Sequence, residues 1–279
     1  MTDLERLSSW LRCPVCSADL SPVDRLVLGC PSGHRHDVNR RGYISLLGGS
    51  RHVGDNAAML DARDAVLESG LYAPIAAAVA AAVPADGSRV LDAGAGTGHY
   101  LRAVLTAHPD AVGLAMDLSP AAVSRASRSS DRIDGLVADT WRPLPIRDAV
   151  CDAVLDIFAP RNLPEFARVL RPGGSLVVVV PRGEHLRSLR AATSMLDVPA
   201  DKADDVIATA EPLYALLTRE HVAEPLPVDE VIRNALIGMG PSAHHVDSGT
   251  GAGADPLPTE TRLDVDVLHF SVRDGGRSL

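Results

Sequence analysis

A loop with three glycines carries the first residues of the chain that could bind a ligand. A short apolar run ends at Asp92, the loop contains Gly94, Gly96 and Gly98, and an apolar spacing typical of a helix follows. Backbone N–H groups and a helix N-terminus in such a turn point at a bound ligand, and a Cβ at the glycines would block its approach. A dinucleotide fingerprint requires a glycine where this chain has His99, so the spacing disfavours a dinucleotide. A glycine turn without a ligand is the alternative.

Two acidic residues end the strands predicted after this loop. Asp117 follows a strand predicted over 111–116, where a carboxylate can accept hydrogen bonds from both hydroxyls of a ribose. Asp139 ends the next predicted strand and precedes Thr140 and Trp141, whose indole could cover a ring. Each acid alone could be a helix N-cap, but a glycine turn and two acids at successive strand ends favour a nucleoside-type ligand.

Three of the four cysteines lie close together near the N-terminus. Cys13 and Cys16 form a Cys-x-x-Cys pair, and Cys30 and His34 form a second pair after thirteen intervening residues. Two close pairs joined by a short hairpin can supply the four corners of a tetrahedron, and thiolates with an imidazole suit Zn²⁺. A closed four-ligand site predicts a structural metal, which would contribute about 10–16 kcal/mol to the folding of a small module. His36 is the rival fourth ligand, and disulfides are the competing chemistry.

The charge of the chain is uneven. A net charge of −9 argues against nucleic acid as the partner of the whole chain. The segment 25–54, however, contains five arginines and a single acid, Asp37. Such a module is compatible with phosphate contacts, and a solvated charged face explains it equally well. The basic residues are Arg25, Arg35, Arg40, Arg41 and Arg51, with His34, His36 and His52 beside them.

Length and composition predict one large domain or two unequal ones. The chain has 279 residues, of which 46% are hydrophobic, enough for a sizeable core. No apolar run reaches the roughly 18 residues that a membrane span needs, and no secretory signal is evident at the N-terminus. We therefore expect a cytoplasmic protein without a membrane partner.

Alternation of predicted strands and helices in the rest of the chain indicates an α/β fold. The β-branched run 175–180 predicts a strand that is covered on both faces. Asp55 is predicted as the N-cap of a helix over 56–69, with Gly70 at its C′ position. Further strands are predicted over 153–157 and 262–272, further helices over 163–170, 184–196, 201–218 and 229–238, and a flexible loop over 248–255.

Several motifs resemble those of a known enzyme family. The loop Asp-x-Gly-x-Gly-x-Gly is similar to the first motif of class I methyltransferases that use S-adenosylmethionine (SAM). Cys-Pro-x-Cys, Cys-Pro-x-Gly-His, Asp-Val-x-Arg-x-Gly-Tyr and Gly-Asp-x-x-x-Met-x-x-Ala-Arg resemble the 23S rRNA guanine-N1 methyltransferases, as do other motifs over residues 11–190. The segments 158–162 and 239–242 resemble the actinomycete branch linked to tylosin and mycinamicin resistance more than the enterobacterial branch.

The resemblance implies a Rossmann-like, mostly parallel sheet preceded by a small zinc-binding module. It implies an RNA-recognising zinc module at 1–50, a helical linker region that contributes to the active site at 51–84, and a SAM-dependent methyltransferase domain at 85–279. The implied zinc ligands are Cys13, Cys16, Cys30 and His34. The implied SAM contacts are Tyr72, Gly96, Thr97 and His185, to which the strand-end residues add Asp92, Gly94, Gly98, Asp117, Asp139, Thr140 and Phe158.

The activity implied by the resemblance is methylation of guanine N1 in a hairpin of 23S rRNA by a homodimer, with macrolide resistance as the trait of the branch. Guanine N1 carries a proton near neutral pH, so a base or a polarised carbonyl is needed. Asp55 is a candidate for the proton and Arg161 for the charge on O6. A plain N-cap role for Asp55 is favoured over catalysis, and Arg161 could instead pair with a phosphate. Ala243-His244 stands where the family pattern has a tryptophan, which leaves the contribution of that position to base binding open.

Two other functions are compatible with parts of the sequence. A small-molecule SAM-dependent methyltransferase of antibiotic biosynthesis would suit the acidic net charge, but the predicted zinc module disfavours it. A SAM-binding protein without catalysis is the third hypothesis, because no residue is assured as the base.

Overall fold

An eleven-stranded sheet runs through the described part of the chain, which in this computed structural model comprises residues 3–48, 54–193, 195–199, 201–240 and 258–273. The strands are β1 (Ser21–Asp24), β2 (Val27–Gly29), β3 (Arg35–Asn39), β4 (Tyr43–Ser45), β5 (Arg89–Ala93), β6 (Val112–Asp117), β7 (Ile133–Val137), β8 (Cys151–Ile157), β9 (Leu170–Pro181), β10 (Tyr214–Pro227) and β11 (Glu260–Val272). The helices are α1 (Leu4–Trp10), α2 (Ala57–Glu68), α3 (Ala73–Ala82), α4 (His99–Ala107), α5 (Pro120–Arg128), α6 (Leu163–Val169), α7 (Arg187–Ala192), α8 (Lys202–Ala210) and α9 (Glu230–Gly238).

Six strands at the centre of the sheet are parallel. They lie in the order β4-β7-β6-β5-β8-β9, and β11 and then β10 continue the sheet antiparallel beyond β9. Strands β7 and β8 are buried along their whole length, as expected for a parallel sheet covered on both faces. The chain changes direction across the sheet between β5 and β8, and strand ends at such a switch point form a ligand crevice. The predicted α/β fold with a mostly parallel sheet is confirmed.

The N-terminal strands extend this sheet. β1, β2 and β3 form an antiparallel meander, β3 pairs with β4, and β4 pairs in parallel with β7. Tyr43 of β4 lies opposite Gly135 of β7, where a Cβ would come within 2.6 Å of the Tyr43 Cβ. The glycine is therefore needed for this close pairing. The predicted domain division after residue 50 stays a prediction, and the strands on its two sides share hydrogen bonds.

Helix α1 fastens the N-terminus to the parallel sheet. Trp10 is fully buried, and its indole N–H donates to Asp134 Oδ2 at 3.1 Å. The guanidinium of Arg6 donates to the same carboxylate at 2.8 Å. Burial raises the pKa of Asp134, while the hydrogen bond from Arg6 lowers it. The guanidinium of Arg6 and the indole of Trp10 thus both donate to the carboxylate of Asp134. Without these hydrogen bonds, burial of that carboxylate would be unfavourable.

The predicted helix over 201–218 is wrong in its second half. Helix α8 ends at Ala210, and β10 begins at Tyr214. Leu216 and Leu217 are both exposed, so they do not form the apolar face of a helix. Their backbone instead pairs with β11, which is distant in the sequence. Long-range pairing of this kind overrides local propensity.

Two smaller expectations are also corrected. The N-cap of α2 is Asn56, whose side chain accepts from Met59 N at 3.0 Å, and not Asp55. The helix predicted over 184–196 is limited to Arg187–Ala192. The expectations for Arg51, His52, Ala243-His244 and the loop 248–255 lie outside the described residues.

Within the described residues, no single helix is long and apolar enough to cross a membrane. Helices α2 and α3 together satisfy the length and composition criteria for a span, but they are bent by 84° at the break between them.

Candidate functional site

A cavity of about 470 Å³ lies at the carboxyl ends of the parallel strands. Its walls come from the loops after β5, β6, β7 and β8 and from α2 and the end of α9. The lining residues are Gly54, Asp55, Arg63, Leu67, Tyr72, Gly94, Ala95, Gly96, His99, Tyr100, Asp117, Leu118, Asp139, Thr140, Trp141, Ile157, Phe158, Ala159, Pro160 and Met239. We call it the strand-end cavity.

The glycine loop gives this cavity a floor of bare backbone. Gly94 has a φ of +84°, and a Cβ there would lie 2.5 Å from the Ala159 Cβ. Gly96 has a φ of +52° and Gly98, which precedes α4, a φ of +79°. Side chains rarely adopt this region, so glycine is required by both conformation and space. Gly94 and Gly96 line the cavity, whereas Gly98 packs against Ala126.

Both strand-end acids line the cavity. Asp117 accepts from Gly96 N at 2.9 Å and from Ser119 N at 2.8 Å. Burial raises the pKa of Asp117, and these two backbone hydrogen bonds act in the opposite direction. Asp139 accepts from Trp141 N at 3.0 Å. Their carboxylates are thus held in place by backbone donors, which is the arrangement needed to receive hydroxyl and amino groups of a nucleoside.

Four buried polar atoms around the loop have no hydrogen-bond partner within the described part of the chain. They are Tyr72 Oη, Asp92 Oδ2, Thr97 Oγ1 and His99 Nε2. Burial, followed by the charge of Asp117, raises the pKa of Asp92 to about 7. An unsatisfied buried polar group costs about 1–3 kcal/mol. Of these residues, Tyr72 and His99 line the cavity itself. A ligand with polar groups, such as SAM, fits these two.

Phe158 and His185 form an aromatic pair at the edge of the cavity. Their rings are stacked with centroids 5.8 Å apart, and Tyr72 meets His185 edge-on at 6.2 Å. Burial, and secondarily Arg190, lowers the pKa of His185 to about 4. Its Nδ1 accepts from Asp264 N at 3.2 Å, so the ring is neutral. Phe158 lines the cavity and His185 does not, so His185 supports Phe158 from behind.

Arg63 is a cavity residue that sequence reasoning missed. Its guanidinium donates to Asp55 Oδ2 in an ion pair and to the Met239 carbonyl at 3.2 Å. A Cβ at Gly96 would lie 3.1 Å from Arg63 Nη1, so the guanidinium lies directly over the glycine loop. The motif Gly-Asp-x-x-x-Met-x-x-Ala-Arg ends at this residue, which is the signal that could have identified it.

Arg161 is not brought into the strand-end cavity. It lines a neighbouring cavity of about 460 Å³, together with Trp141, which belongs to the walls of both. Its Nη1 lies 3.7 Å from Oδ1 of the fully buried Asp156. Burial raises the pKa of Asp156 well above its usual range, although Arg161 opposes the rise. The predicted catalytic role of Arg161 stays a prediction, whereas Asp55 does face the strand-end cavity.

The four predicted metal ligands come together at the N-terminal hairpin. One ligand atom from each of Cys13, Cys16, Cys30 and His34 lies within 4.8 Å of the others. Sγ of Cys16 and Sγ of Cys30 are 3.6 Å apart, and His34 Nδ1 is 3.4 Å from Cys30 Sγ. A tetrahedral Zn²⁺ site has ligand-to-ligand edges of about 3.5–3.8 Å, given Zn–S and Zn–N bonds of about 2.3 and 2.0 Å. The chemistry and the spacing of the donors therefore fit zinc.

Further features of this cluster favour a metal over a disulfide. All four cysteines of the chain are free. Hydrogen bonds from the Ala18 backbone and then from Ser32 lower the pKa of Cys16 to about 6, which favours the thiolate that a metal requires. His36 is not part of the cluster, and its Nε2 lies 3.6 Å from Cys13 Sγ.

The basic residues beside the cluster are accessible. Arg25, Arg35, Arg40 and Arg41 are all exposed, and their guanidinium groups form no ion pair with another residue of the described ranges. Four uncompensated guanidinium groups on one small hairpin region form a surface suited to phosphates.

Comparison with known proteins identifies relatives of the whole chain. A family model described as a methyltransferase domain matches residues 90–174. The chain is 44% identical over 262 residues to a Micromonospora griseorubida protein assigned as a 23S rRNA (guanine-N(1)-)-methyltransferase, with 85% of this chain and 88% of the relative covered. It is 41% identical over 244 residues to the 23S rRNA (guanine(748)-N(1))-methyltransferase of Streptomyces fradiae, with 85% and 87% covered.

Solved structures resemble the chain in fold alone. A methyltransferase from Bacillus halodurans has a TM-score of 0.51 at 15% identity and covers 70% of this chain and 97% of its own. The YcgJ protein of Bacillus subtilis has a TM-score of 0.50 at 19% identity and covers 73% of this chain and 100% of its own.

Proposed function

The chain belongs to the family of 23S rRNA guanine-N1 methyltransferases, and on that premise we propose that it transfers the methyl group of SAM to N1 of a guanine in 23S rRNA. Identity of 44% over most of both chains is the observation that carries this proposal. The target is the guanine that corresponds to position 748, which the name of the Streptomyces fradiae relative specifies.

The strand-end cavity holds SAM in this proposal. Asp117 receives the ribose hydroxyls, and Asp139 and Thr140 receive the adenine beside the indole of Trp141. Gly94 and Gly96 leave room for the methionine part, and Tyr72 gains a partner for its unsatisfied hydroxyl. Bound SAM supplies a methyl group that is already activated by its sulfonium charge. The residues of the chain therefore have to align the acceptor nitrogen and exclude water.

The acceptor guanine enters beside the loop after β8 and the Asp55–Arg63 pair. Asp55 accepts the N1 proton, and Arg63 lies within reach to stabilise the charge that develops on O6. This assigns to Arg63 the part that the sequence alone suggested for Arg161. Asp55 is held for this role because Arg63 donates to its carboxylate and Ser119 Oγ donates to its carbonyl at 2.8 Å.

The N-terminal hairpin binds the RNA. Zn²⁺ bound by Cys13, Cys16, Cys30 and His34 would order this protein hairpin. The exposed arginines would contact phosphates on either side of the loop of the RNA hairpin. A base in a hairpin must leave its stack to enter a closed cavity, and RNA is read mainly in such loops. Because rRNA is the proposed substrate, we propose that the enzyme acts in the cytoplasm. The family resemblance further implies that it is a homodimer and that it confers macrolide resistance.

Incubation of the protein with methyl-labelled SAM and 23S rRNA tests the proposal. We expect label in one guanosine, and a stop of reverse transcription there, because an N1-methyl group blocks Watson–Crick pairing. Light scattering of the purified chain tests the dimer, and growth on tylosin with and without the gene tests resistance. Label in a small molecule with none in rRNA would overturn the proposal in favour of an antibiotic-biosynthesis enzyme.

A further inference from the structure

We propose that the cavity next to the strand-end cavity binds the nucleotide that flanks the target guanine, with its phosphate on Lys202 and Arg161 and its base or ribose against Trp141. This rests on the proposed function, and it adds a second nucleotide site to the enzyme. The cavity is lined by Trp141, Arg161, Asn162, Leu163, Pro164, Lys202, Asp205, Val206 and Thr209. We call it the flanking cavity.

The position of Trp141 links the two cavities. Its indole contributes to the walls of both and is 58% exposed. Its backbone N–H is fixed by Asp139, a residue of the strand-end cavity. Asn162, which lines the flanking cavity, donates from Nδ2 to the Thr140 carbonyl at 2.8 Å. This hydrogen bond connects it to the loop that carries Asp139 and Trp141. A nucleotide next to a base in the strand-end cavity can therefore reach the indole, on which bases of any sequence can stack.

The charges of the flanking cavity suit a phosphate. Lys202 forms no ion pair with another described residue, and Arg161 Nη1 is buried without a hydrogen-bond partner there. The acids that face them are Asp156 and Asp205. Burial keeps the pKa of Asp156 well above its usual range. If Asp156 is protonated, Arg161 and Lys202 face Asp205 alone. If Asp156 is ionised, it neutralises Arg161, and Lys202 and Asp205 remain. In both states an ammonium without an ion pair faces the cavity.

The remaining walls suit a sugar or a base more than a free anion. Leu163, Pro164 and Val206 supply apolar surface to the same cavity. A bare phosphate would use only Lys202 and Arg161, whereas a nucleotide uses the apolar walls and the indole as well. Stacking on an aromatic ring together with a cationic contact to the backbone is the general mode of single-stranded RNA binding.

Lys202 is the only lysine of the chain, which permits a direct test. Burial, and then the charge of Arg161, lowers the pKa of Lys202, which increases the fraction of its amine that is neutral and able to react with an acylating reagent. We expect a target hairpin, in the presence of SAM, to slow acetylation of Lys202 at least fivefold, as measured by mass spectrometry of the full chain. A lysine-containing peptide of unrelated sequence, added to each mixture, is the internal reference. Unchanged labelling at a hairpin concentration that saturates methylation would overturn the proposal.

Three additional mixtures discriminate the occupants. SAM alone should leave the labelling rate within twofold of that of the free protein. Protection by inorganic phosphate or guanosine monophosphate but not by the hairpin would show an anion pocket and overturn the proposal. Protection that increases with protein concentration in the absence of RNA would assign this face to a second copy of the chain, with the same consequence.

Charge reversal supplies an independent measurement. Lys202→Glu should raise the KM for the hairpin about tenfold and leave the affinity for SAM within twofold, whereas Lys202→Arg should stay close to wild type. The slope of log KM against log salt should fall by about 0.7 in Lys202→Glu, as expected for one lost phosphate contact to a single strand. Arg187→Glu, at an exposed residue that lines neither cavity, is the matched control and should change neither value.

The two proposals can fail separately. If the wild type methylates no guanosine of 23S rRNA, the proposed function fails. If the wild type methylates its guanosine and Lys202→Glu has an unchanged KM and salt slope, only the flanking cavity is excluded as a nucleotide site.

Discussion

The metal cluster and the strand-end cavity are built in opposite ways. The cavity is formed by backbone at the ends of four parallel strands, and its acids are held by N–H groups of the same loops. The cluster is formed by four side chains of a hairpin whose strands have only three to five residues each. One site is thus pre-formed by the sheet, and we expect the other to depend on a bound metal ion. The two should therefore respond very differently to substitution.

The largest contrast is expected at the cluster. Cys13→Ser with Cys16→Ser should abolish zinc binding and reduce rRNA methylation at least a hundredfold, because a metal of this kind contributes about 10–16 kcal/mol to local folding. Affinity for SAM should change less than threefold, as measured by titration calorimetry, with zinc content measured by mass spectrometry. Cys151→Ala is the control, since this thiol is buried in β8 outside the cluster. Parallel loss of SAM affinity would show that the two sites are not independent.

Gly94→Ala should damage the cavity while leaving the cluster intact. The new Cβ would meet the Ala159 Cβ at 2.5 Å in a backbone with a φ of +84°, so we expect affinity for SAM to fall at least thirtyfold with zinc content unchanged. Gly70→Ala is the matched control, because its φ of +82° is the same but nothing lies within 4 Å of the added atom. It should cost about 1–2 kcal/mol of stability and leave SAM binding intact. Equal losses of SAM affinity in both variants would mean that backbone strain, and not the clash with Ala159, weakens SAM binding.

Within the cavity, substitution of Asp55 should slow the methyl transfer without weakening SAM binding. Asp55→Asn removes the proposed proton acceptor but retains a partner for Arg63, so kcat should fall about a hundredfold with the KM for SAM within threefold. Asn56→Ala, which removes the neighbouring helix cap, is the control and should cost about 1 kcal/mol of stability with little effect on kcat. A fall in stability of Asp55→Asn equal to that of Asn56→Ala, with kcat unchanged, would give Asp55 a structural role.

The smallest effect concerns the pH dependence of stability. The pKa of Asp92 is raised to about 7 in the folded chain, from about 4 when unfolded. The folded state therefore holds an extra proton between these values, and stability falls as the pH rises through them. At about 1.4 kcal/mol per pKa unit, the free energy of unfolding of Asp92→Asn should fall about 2–3 kcal/mol less than that of wild type between pH 5 and pH 8. Urea titrations without SAM measure this, and equal pH slopes for both proteins would contradict it.

The cavity was more predictable from the sequence than its surroundings. Glycines at positive φ and acids after apolar runs depend on a few adjacent residues, so Gly94, Asp117 and Asp139 were identified and do line the cavity. The four candidate metal ligands were recognisable for the same reason, because two short spacings define them, and their donor atoms do come together. A pattern confined to about ten consecutive residues can be recognised from the sequence alone.

Features that join distant segments were missed. Strand β10 pairs with β11 across a long stretch of chain, and its exposed Leu216 and Leu217 gave the appearance of a helix. Arg63 reaches the cavity only because α2 packs against α9, where the Met239 carbonyl accepts from it. The flanking cavity combines Trp141 with Lys202, which no local spacing relates. Tertiary packing decides such cases, and one sequence does not display it.

The pairing of Tyr43 with Gly135 has a consequence for biosynthesis. During translation the N-terminal strands leave the ribosome first, yet β4 gains its parallel neighbour only after β7 emerges, about 90 residues later. Until then one edge of β4 is open, and unpaired edges favour association with other nascent chains. Early capture of metal by the cysteines would keep the hairpin ordered through this interval, so scarcity of the metal during synthesis should lower the yield of folded protein.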